Sequence, residues 1–190
     1  MMVDCTAQTD EELMERVVRD RVVFGCLIER YEAKLTRYLR RIMPGLGDDV
    51  DDVLQEIFVK AYVHANGFDT NLSFSSWIYR IAHNEAVSWL RRKKARPEPV
   101  ELGDDDFQTF QESMQESSDS IERELAQDEV RRVLGVLPEK YRTVLVLRYL
   151  EGKSYGEVSD ILAVPGGTVA TLVHRAKKAF SSEYANQYGG

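Results

Sequence analysis

The sequence predicts an all-α protein of two small helical domains joined by an acidic flexible linker, with a helix-turn-helix in the C-terminal domain. Three observations predict it. Apolar residues recur at three- and four-residue steps through most of the chain, the mark of amphipathic helices. No stretch alternates apolar and polar residues as a half-buried strand does, and no internal repeat is present. Residues 97 to about 118 hold two prolines, three consecutive aspartates, several Gln and Ser and few aliphatics, which is linker composition. The expected boundaries are a domain at 1–96, a linker at 97–119 and a domain at 120–190. A length of 190 residues suits two small domains.

A short helix is expected near residues 10–19. From Phe24 the series Phe24, Leu27, Ile28, Tyr31, Leu35, Leu39 and Ile42 marks a long amphipathic helix that Pro44 and Gly45 stop. A second begins behind Asp48, Asp49, Asp51 and Asp52, an acidic first turn that suits the helix dipole. It carries Val53, Leu54, Ile57, Phe58, Ala61 and Tyr62, and Gly67 ends the run. A third spans about 74–95, with Trp77, Ile78, Ile81, Ala82 and Trp89 inward. It closes on Arg91, Arg92, Lys93 and Lys94 before Pro97 and Pro99.

Beyond the linker, Ile121, Leu125, Val133, Leu134 and Leu137 mark another helix. Pro138 fits the first turn of the next, which carries Tyr141, Val144, Leu145 and Leu147. Residues 154–180 then read as a helix-turn-helix. Tyr155, Val158, Ile161 and Leu162 form the buried face of a short helix, and Ala163 to Gly167 form the break. Thr168 is the expected N-cap of a second helix.

Composition excludes several functions. The chain is 43% hydrophobic and 30% charged, as soluble proteins are, and no apolar run approaches the roughly 20 residues that span a bilayer. The N-terminus is acidic where a secretion signal is basic and then apolar, so a cytoplasmic protein without membrane insertion is expected. Cys5 and Cys26 form no CxxC pair and have no nearby histidine; they read as reduced thiols, with no disulfide framework and no zinc site. His64, His83 and His174 are scattered, and the paired carboxylates of the acidic helix start, Asp51-Asp52-Val-Leu-Gln55-Glu56, come with no further ligand, histidine partner or Gly-rich phosphate loop. No metal, cofactor or catalytic group is expected. The net charge of −7 conceals a division: Glu98 to Val130 carries twelve acidic residues against one basic, a net −11, so the remainder of the chain is +4.

Two constellations bear on function. In the last helix Val169, Leu172, Val173, Ala176 and Phe180 fall on one side. Ala170, Thr171, His174, Arg175 and Lys178 face outward, a small, polar and basic face of the kind a helix needs to lie in a major groove. The bland alternative is a packed hairpin with a solvated face. In the helix at 74–95, Arg80, Asn84, Ser88 and Arg91 share one face, and Phe74, Trp77 and Tyr79 crowd its start beside a loop at 66–73. Cations for phosphates, an amide for a base edge and aromatic rings together suit capture of an unstacked base. Here the bland alternative is that the tryptophans are core and the basic run a solvated helix end.

With both constellations in place, the sequence resembles the extracytoplasmic-function (ECF) sigma factors over nearly its whole length. Asp52-Val-Leu-Gln-Glu-Ile-Phe-Val-Lys-Ala-Tyr62 is similar to the family's region 2.2, which docks on the clamp helices of the largest polymerase subunit. This implies polymerase-binding roles for Asp52, Gln55, Glu56 and Phe58. Phe74-Ser-Ser-Trp-Ile-Tyr-Arg-Ile-Ala-His-Asn84, continuing to Leu90-Arg-Arg, resembles the segment that melts the minus-ten element and pockets a flipped base. It implies DNA contacts from Phe74, Trp77, Arg80, His83, Asn84, Ser88, Arg91 and Arg92. Leu137-Pro-Glu-Lys-Tyr-Arg, Leu147-Arg-Tyr-Leu-Glu-Gly-Lys-Ser-Tyr-Gly-Glu-Val and the stretch from Gly167 to Lys178 are similar to region 4, the minus-thirty-five reader. They imply upstream contacts from Thr168, Ala170, Thr171, His174, Arg175 and Lys178. The resemblance also implies core RNA polymerase (clamp helices and flap), promoter DNA and an anti-sigma protein as partners. It implies, too, an acidic linker that threads toward the polymerase active centre and RNA exit channel.

One stretch departs from the family pattern. After Gly-Thr-Val the family usually places a basic residue, then Ser or Thr, then Arg, whereas this chain has Ala170-Thr171-Leu172. Two expected cations are absent, which predicts weak or altered minus-thirty-five reading and greater dependence on the N-terminal domain or on a recruiting partner. The competing readings are a stand-alone helix-turn-helix regulator, a nucleic-acid enzyme, and a pure interaction protein. The aromatic and basic helix at 74–95 argues against the first, and the lack of a metal or nucleotide site against the second.

Overall fold

The computed structural model describes residues 5, 7–44, 47, 49–94 and 120–189, with the backbone alone for Lys94 and residues 120–127. The expected linker at 97–119 lies outside them. Among the described residues every regular element is helical, and the helices fall into two compact units.

The first unit holds α1 (Asp10–Val17), α2 (Phe24–Ile42), α3 (Asp49–Val63) and α4 (Phe74–Lys94). Thr9 and Glu12 open α1 as a reciprocal capping box, each side chain bonding the other's backbone N–H. A single 3-10 turn, Arg21–Val23, leads into α2, which ends at Met43, whose φ of −120° and ψ of 76° leave the helical region ahead of Pro44. Helix α2 packs against α1, α3 and α4, while α4 also packs on α1 and α3. Leu13, Met14, Leu27, Leu35, Leu39, Ile57 and Ile78 are buried where they meet, each stabilising the unit by about 1.5–3 kcal/mol. Tyr38 and Met43, which lie outside the apolar series read from sequence, are also fully buried, and the Tyr38 ring centroid lies 5.1 Å from that of Tyr79.

Three expectations for this unit need correction. Cys5 and Cys26 are bonded as a disulfide, with Cα atoms 5.8 Å apart. The segment before α1 folds back onto the first turn of α2, a proximity that spacing 21 residues along the chain does not reveal. Phe74 is core, only 1% exposed, because Tyr31, Phe68 and Trp77 surround its ring. Trp77, Ile81 and Trp89 are half-buried and not fully inward.

The second unit holds α5 (Ser120–Val136), α6 (Glu139–Leu145) continuing as a π-helical turn at Val146–Leu150, α7 (Tyr155–Leu162) and α8 (Gly166–Tyr188). Pro138 is the N-cap of α6, and α8 packs on α5 and α6. Val133, Leu134, Leu137, Val144, Leu147, Val158, Val169, Val173 and Ala176 are buried. The side chains of Ile121 and Leu125, expected inward, lie outside the described ones. Tyr155 is exposed, contrary to the buried face expected of it, and the Arg148 guanidinium lies 4.7 Å from its ring centroid.

Candidate nucleic-acid interface

The site is built around the start of α4. Its first turn has amides without helical partners. Ser73 accepts the Ser76 N–H through its hydroxyl at 3.3 Å, and Glu11 of α1 accepts the Phe74 N–H at 2.9 Å. Just before it, Asp69 accepts from the backbone and side-chain N–H of Asn71, and these two bonds hold its carboxyl below the usual carboxylate range. The Phe68 ring centroid lies 5.1 Å from that of Trp77, and both residues are half-buried, leaving part of this aromatic surface open beside exposed Leu72. Along α4 from there, Arg80, Asn84, Ser88, Arg91 and Arg92 are exposed. His83 is half-buried, its Nδ1 3.5 Å from the Tyr38 hydroxyl, and so faces the core more than its neighbours do. The arrangement offers a partly open pair of aromatic rings tilted 55° to each other, an amide with both donors and acceptors, and a run of cations, as a splayed single strand requires.

Helix α3 lies alongside. Asp52, Gln55 and Glu56 are exposed on it and Phe58 is half-buried. Two ion pairs connect the helices: Lys60 Nζ lies 2.6 Å from Glu85, whose side chain is 10% exposed, and Arg92 lies 3.7 Å from Glu56. The second pair is open to solvent on both sides and worth little, about 0–1 kcal/mol. Glu56 and Arg92, which the resemblance gives to different partners, therefore stand next to each other.

In the second unit Ser154 and Glu157 form a capping box at the start of α7. The chain leaves α7 through Ala163, whose φ of 53° is left-handed. The Val164 N–H then reaches back to the Ser159 carbonyl at 3.2 Å, and the Ser159 hydroxyl donates to the Val164 carbonyl. Pro165 is the N-cap of α8, its carbonyl accepting the N–H of both Thr168 and Val169. Thr168, expected as the cap, is thus the third residue of the helix. Gly166 and Gly167, expected in the break, instead form its first turn.

Thr168, Ala170, Thr171, His174, Arg175 and Lys178 are all exposed on α8, and the Thr171 hydroxyl donates to the Gly167 carbonyl of its own helix. The outward face carries no Lys or Arg before Arg175. Sequence reasoning missed a cation–aromatic cluster beside it, in which Lys177 lies 5.0 Å from the Tyr149 ring centroid and Arg148 stacks on Tyr155. The hydrogen bond with the Tyr149 hydroxyl holds the Lys177 ammonium above its ordinary range. Among the described residues no three His, Cys, Asp or Glu side chains are grouped to hold a metal ion, and no helix is long and apolar enough to cross a membrane.

Residues 27–96 match the family model for sigma-70 region 2, and residues 127–180 match that for sigma-70 region 4. The chain is 34% identical to the ECF RNA polymerase sigma-E factor of Haemophilus influenzae, an alignment covering 92% of this chain and 95% of the relative. Against the ECF RNA polymerase sigma-E factor of Escherichia coli K12 the identity is again 34%, covering 92% and 94%. Among solved structures, CnrH in complex with the cytosolic domain of CnrY is similar at a TM-score of 0.67 and 25% identity, covering 91% of this chain and 95% of that one. The sigma factor RpoE in complex with the anti-sigma factor NepR, from Bartonella quintana, shares the fold at a TM-score of 0.67 and 18% identity, covering 84% and 95%. The exposed residues of α3, α4 and α8 described above fall inside the two matched regions, and the chain belongs to the ECF sigma factors, which direct RNA polymerase in transcription initiation.

Proposed function

We propose that residues 1–96 anchor the chain to core RNA polymerase and capture the melted minus-ten strand, that 97–119 is the acidic linker, and that 120–190 reads the upstream element. The observation that carries this reading is the exposed series Arg80, Asn84, Ser88 and Arg91, which runs along α4 from the open edge of the Phe68–Trp77 pair. A non-template base leaves the stack at that aromatic edge and is read by the Asn84 amide, while Arg80, Arg91 and Arg92 hold the backbone. Asp52, Gln55 and Glu56 of α3 face the polymerase clamp helices. Phe74 serves indirectly, as the buried ring that fixes Trp77 and the turn before α4. In this role the chain acts by binding and not by catalysis, and it works in the cytoplasm, where its polymerase is. An anti-sigma protein is a further partner, by analogy with CnrH, which is similar in sequence and in fold and is seen with CnrY.

Thr168, Ala170, Thr171, His174, Arg175 and Lys178 meet the upstream element. Reading there is weak, since the first two turns of the outward face supply no cation and Thr171 spends its hydroxyl proton on Gly167. Asn84→Ala is expected to lower open-complex formation about tenfold while leaving polymerase binding unchanged, since one lost base contact is worth about 1–3 kcal/mol. Strand opening followed by a base-analogue fluorophore, alongside a polymerase-binding titration, checks it. Equal loss of both would remove Asn84 from the role of base reader.

A further inference from the structure

Cys26 sits in the first turn of α2, 5% exposed, and is bonded to the half-buried Cys5. A Cα separation of 5.8 Å lies within the range that a disulfide spans. One turn further along α2, the Arg30 guanidinium donates to the carbonyls of Cys5 and Gln8 and to the Asp10 carboxylate, which also accepts from the Tyr31 hydroxyl at 2.5 Å. The segment before α1 is therefore held covalently at one end and by charge at the other. Helix α1 in turn supplies Glu11, whose carboxylate takes the Phe74 N–H at the start of α4. The aromatic edge and the Arg80–Asn84 face follow directly from that point.

We propose that Cys5 and Cys26 form a reversible redox tether that locks α1 onto the start of α4, so that thiol oxidation tunes the strand-capturing end of this unit. The oxidant is a small-molecule disulfide. The Cys5 thiolate, the more accessible of the two, attacks one sulfur of that molecule and releases a small thiolate. The Cys26 thiolate then attacks the Cys5 sulfur of the mixed disulfide and releases the second. The two cysteine protons end on the two small thiols, so one disulfide is reduced as one forms, and a small dithiol reverses the exchange. Disulfides of reducing compartments are usually transient or redox-sensing, which suits a tether closing one short strap and not a framework. The consequence for promoter DNA rests on the function proposed above; the tether itself does not.

The test compares the full chain after oxidised glutathione and after dithiothreitol, counting thiols by alkylation and mass and following amide exchange in peptides covering 7–17 and 72–78. The expected result is no free thiol in the oxidised monomer and two in the reduced one. Exchange in both segments should be roughly tenfold faster after reduction, and Cys5→Ser should exchange fast in either condition. Exchange at Phe74 that is the same in both redox states, or oxidation that yields only cross-linked dimers, would overturn the tether. Because wild-type chain is compared in two states, the result does not depend on the variant folding. Run-off transcription with core polymerase separates the second claim. Faster or slower open-complex formation on reduction supports regulation, equal rates remove it, and no transcript in either state counts against the promoter reading while the exchange data still decide the tether.

Discussion

Phe74 shows how one position is misread and why. It opens an amphipathic helix beside other aromatics, and the stretch it begins resembles one that touches DNA, so the resemblance gives it a DNA contact. Three rings close over it, and it stands at 1% exposure. Periodicity within α4 cannot reveal partners supplied by α2 and the preceding loop. Phe74→Ala should therefore cost the N-terminal unit about 3–5 kcal/mol, read as a fall in the denaturant midpoint at unchanged slope. A cost below 1 kcal/mol would return Phe74 to the surface. By contrast, the exposure of Arg80, Asn84, Ser88 and Arg91 was legible, since their steps of four, four and three keep them on one face whatever packs on the other. The pairing of Cys5 with Cys26 was not legible, because it depends on how the strap before α1 folds back, which Arg30 and Asp10 fix in three dimensions.

At the level of elements, the helices were read well where an apolar series met a breaker. Helix α2 starts at Phe24 and stops ahead of Pro44 as expected, while α8 starts two residues before Thr168 because Pro165 supplies the capping carbonyl. The turn between α7 and α8 stores strain at Ala163, since a Cβ at φ 53° costs about 1–2 kcal/mol. Ala163→Gly relieves that strain at some cost in unfolded-chain entropy, so a net gain of about 0.5–1 kcal/mol is expected in thermal melting of the C-terminal unit. The Glu157 capping box adds a pH signature. Burial alone raises this carboxyl, but hydrogen bonds from the Ser154 amide and hydroxyl and the nearby Lys153 ammonium more than reverse it, so its folded value lies below 4.5. A depressed carboxyl contributes stability above its unfolded value that is lost as pH falls through the folded one. The gap in melting temperature between wild type and Glu157→Gln should accordingly be full at pH 7 and shrink below about pH 4.5. A gap that stays constant with pH would remove the carboxylate's charge from the cap.

Across the whole molecule, charge is divided more informatively than the net −7 suggests, with a −11 middle between parts that together are +4. That division, the helical periodicity and the three family-like stretches together made the class of protein legible before any packing was known. What stayed hidden at this scale is pairing between elements: Glu11 of α1 capping α4, Lys60 of α3 neutralising Glu85, and the cations beside Tyr149 and Tyr155. The central claim is that this chain gives core polymerase access to its own set of promoters, and run-off transcription from a promoter library with core enzyme at defined salt tests it most directly. The account predicts transcripts that appear only when the chain is added and share a common sequence dominated by the minus-ten element. Failure of the chain to bind core polymerase at all would contradict it.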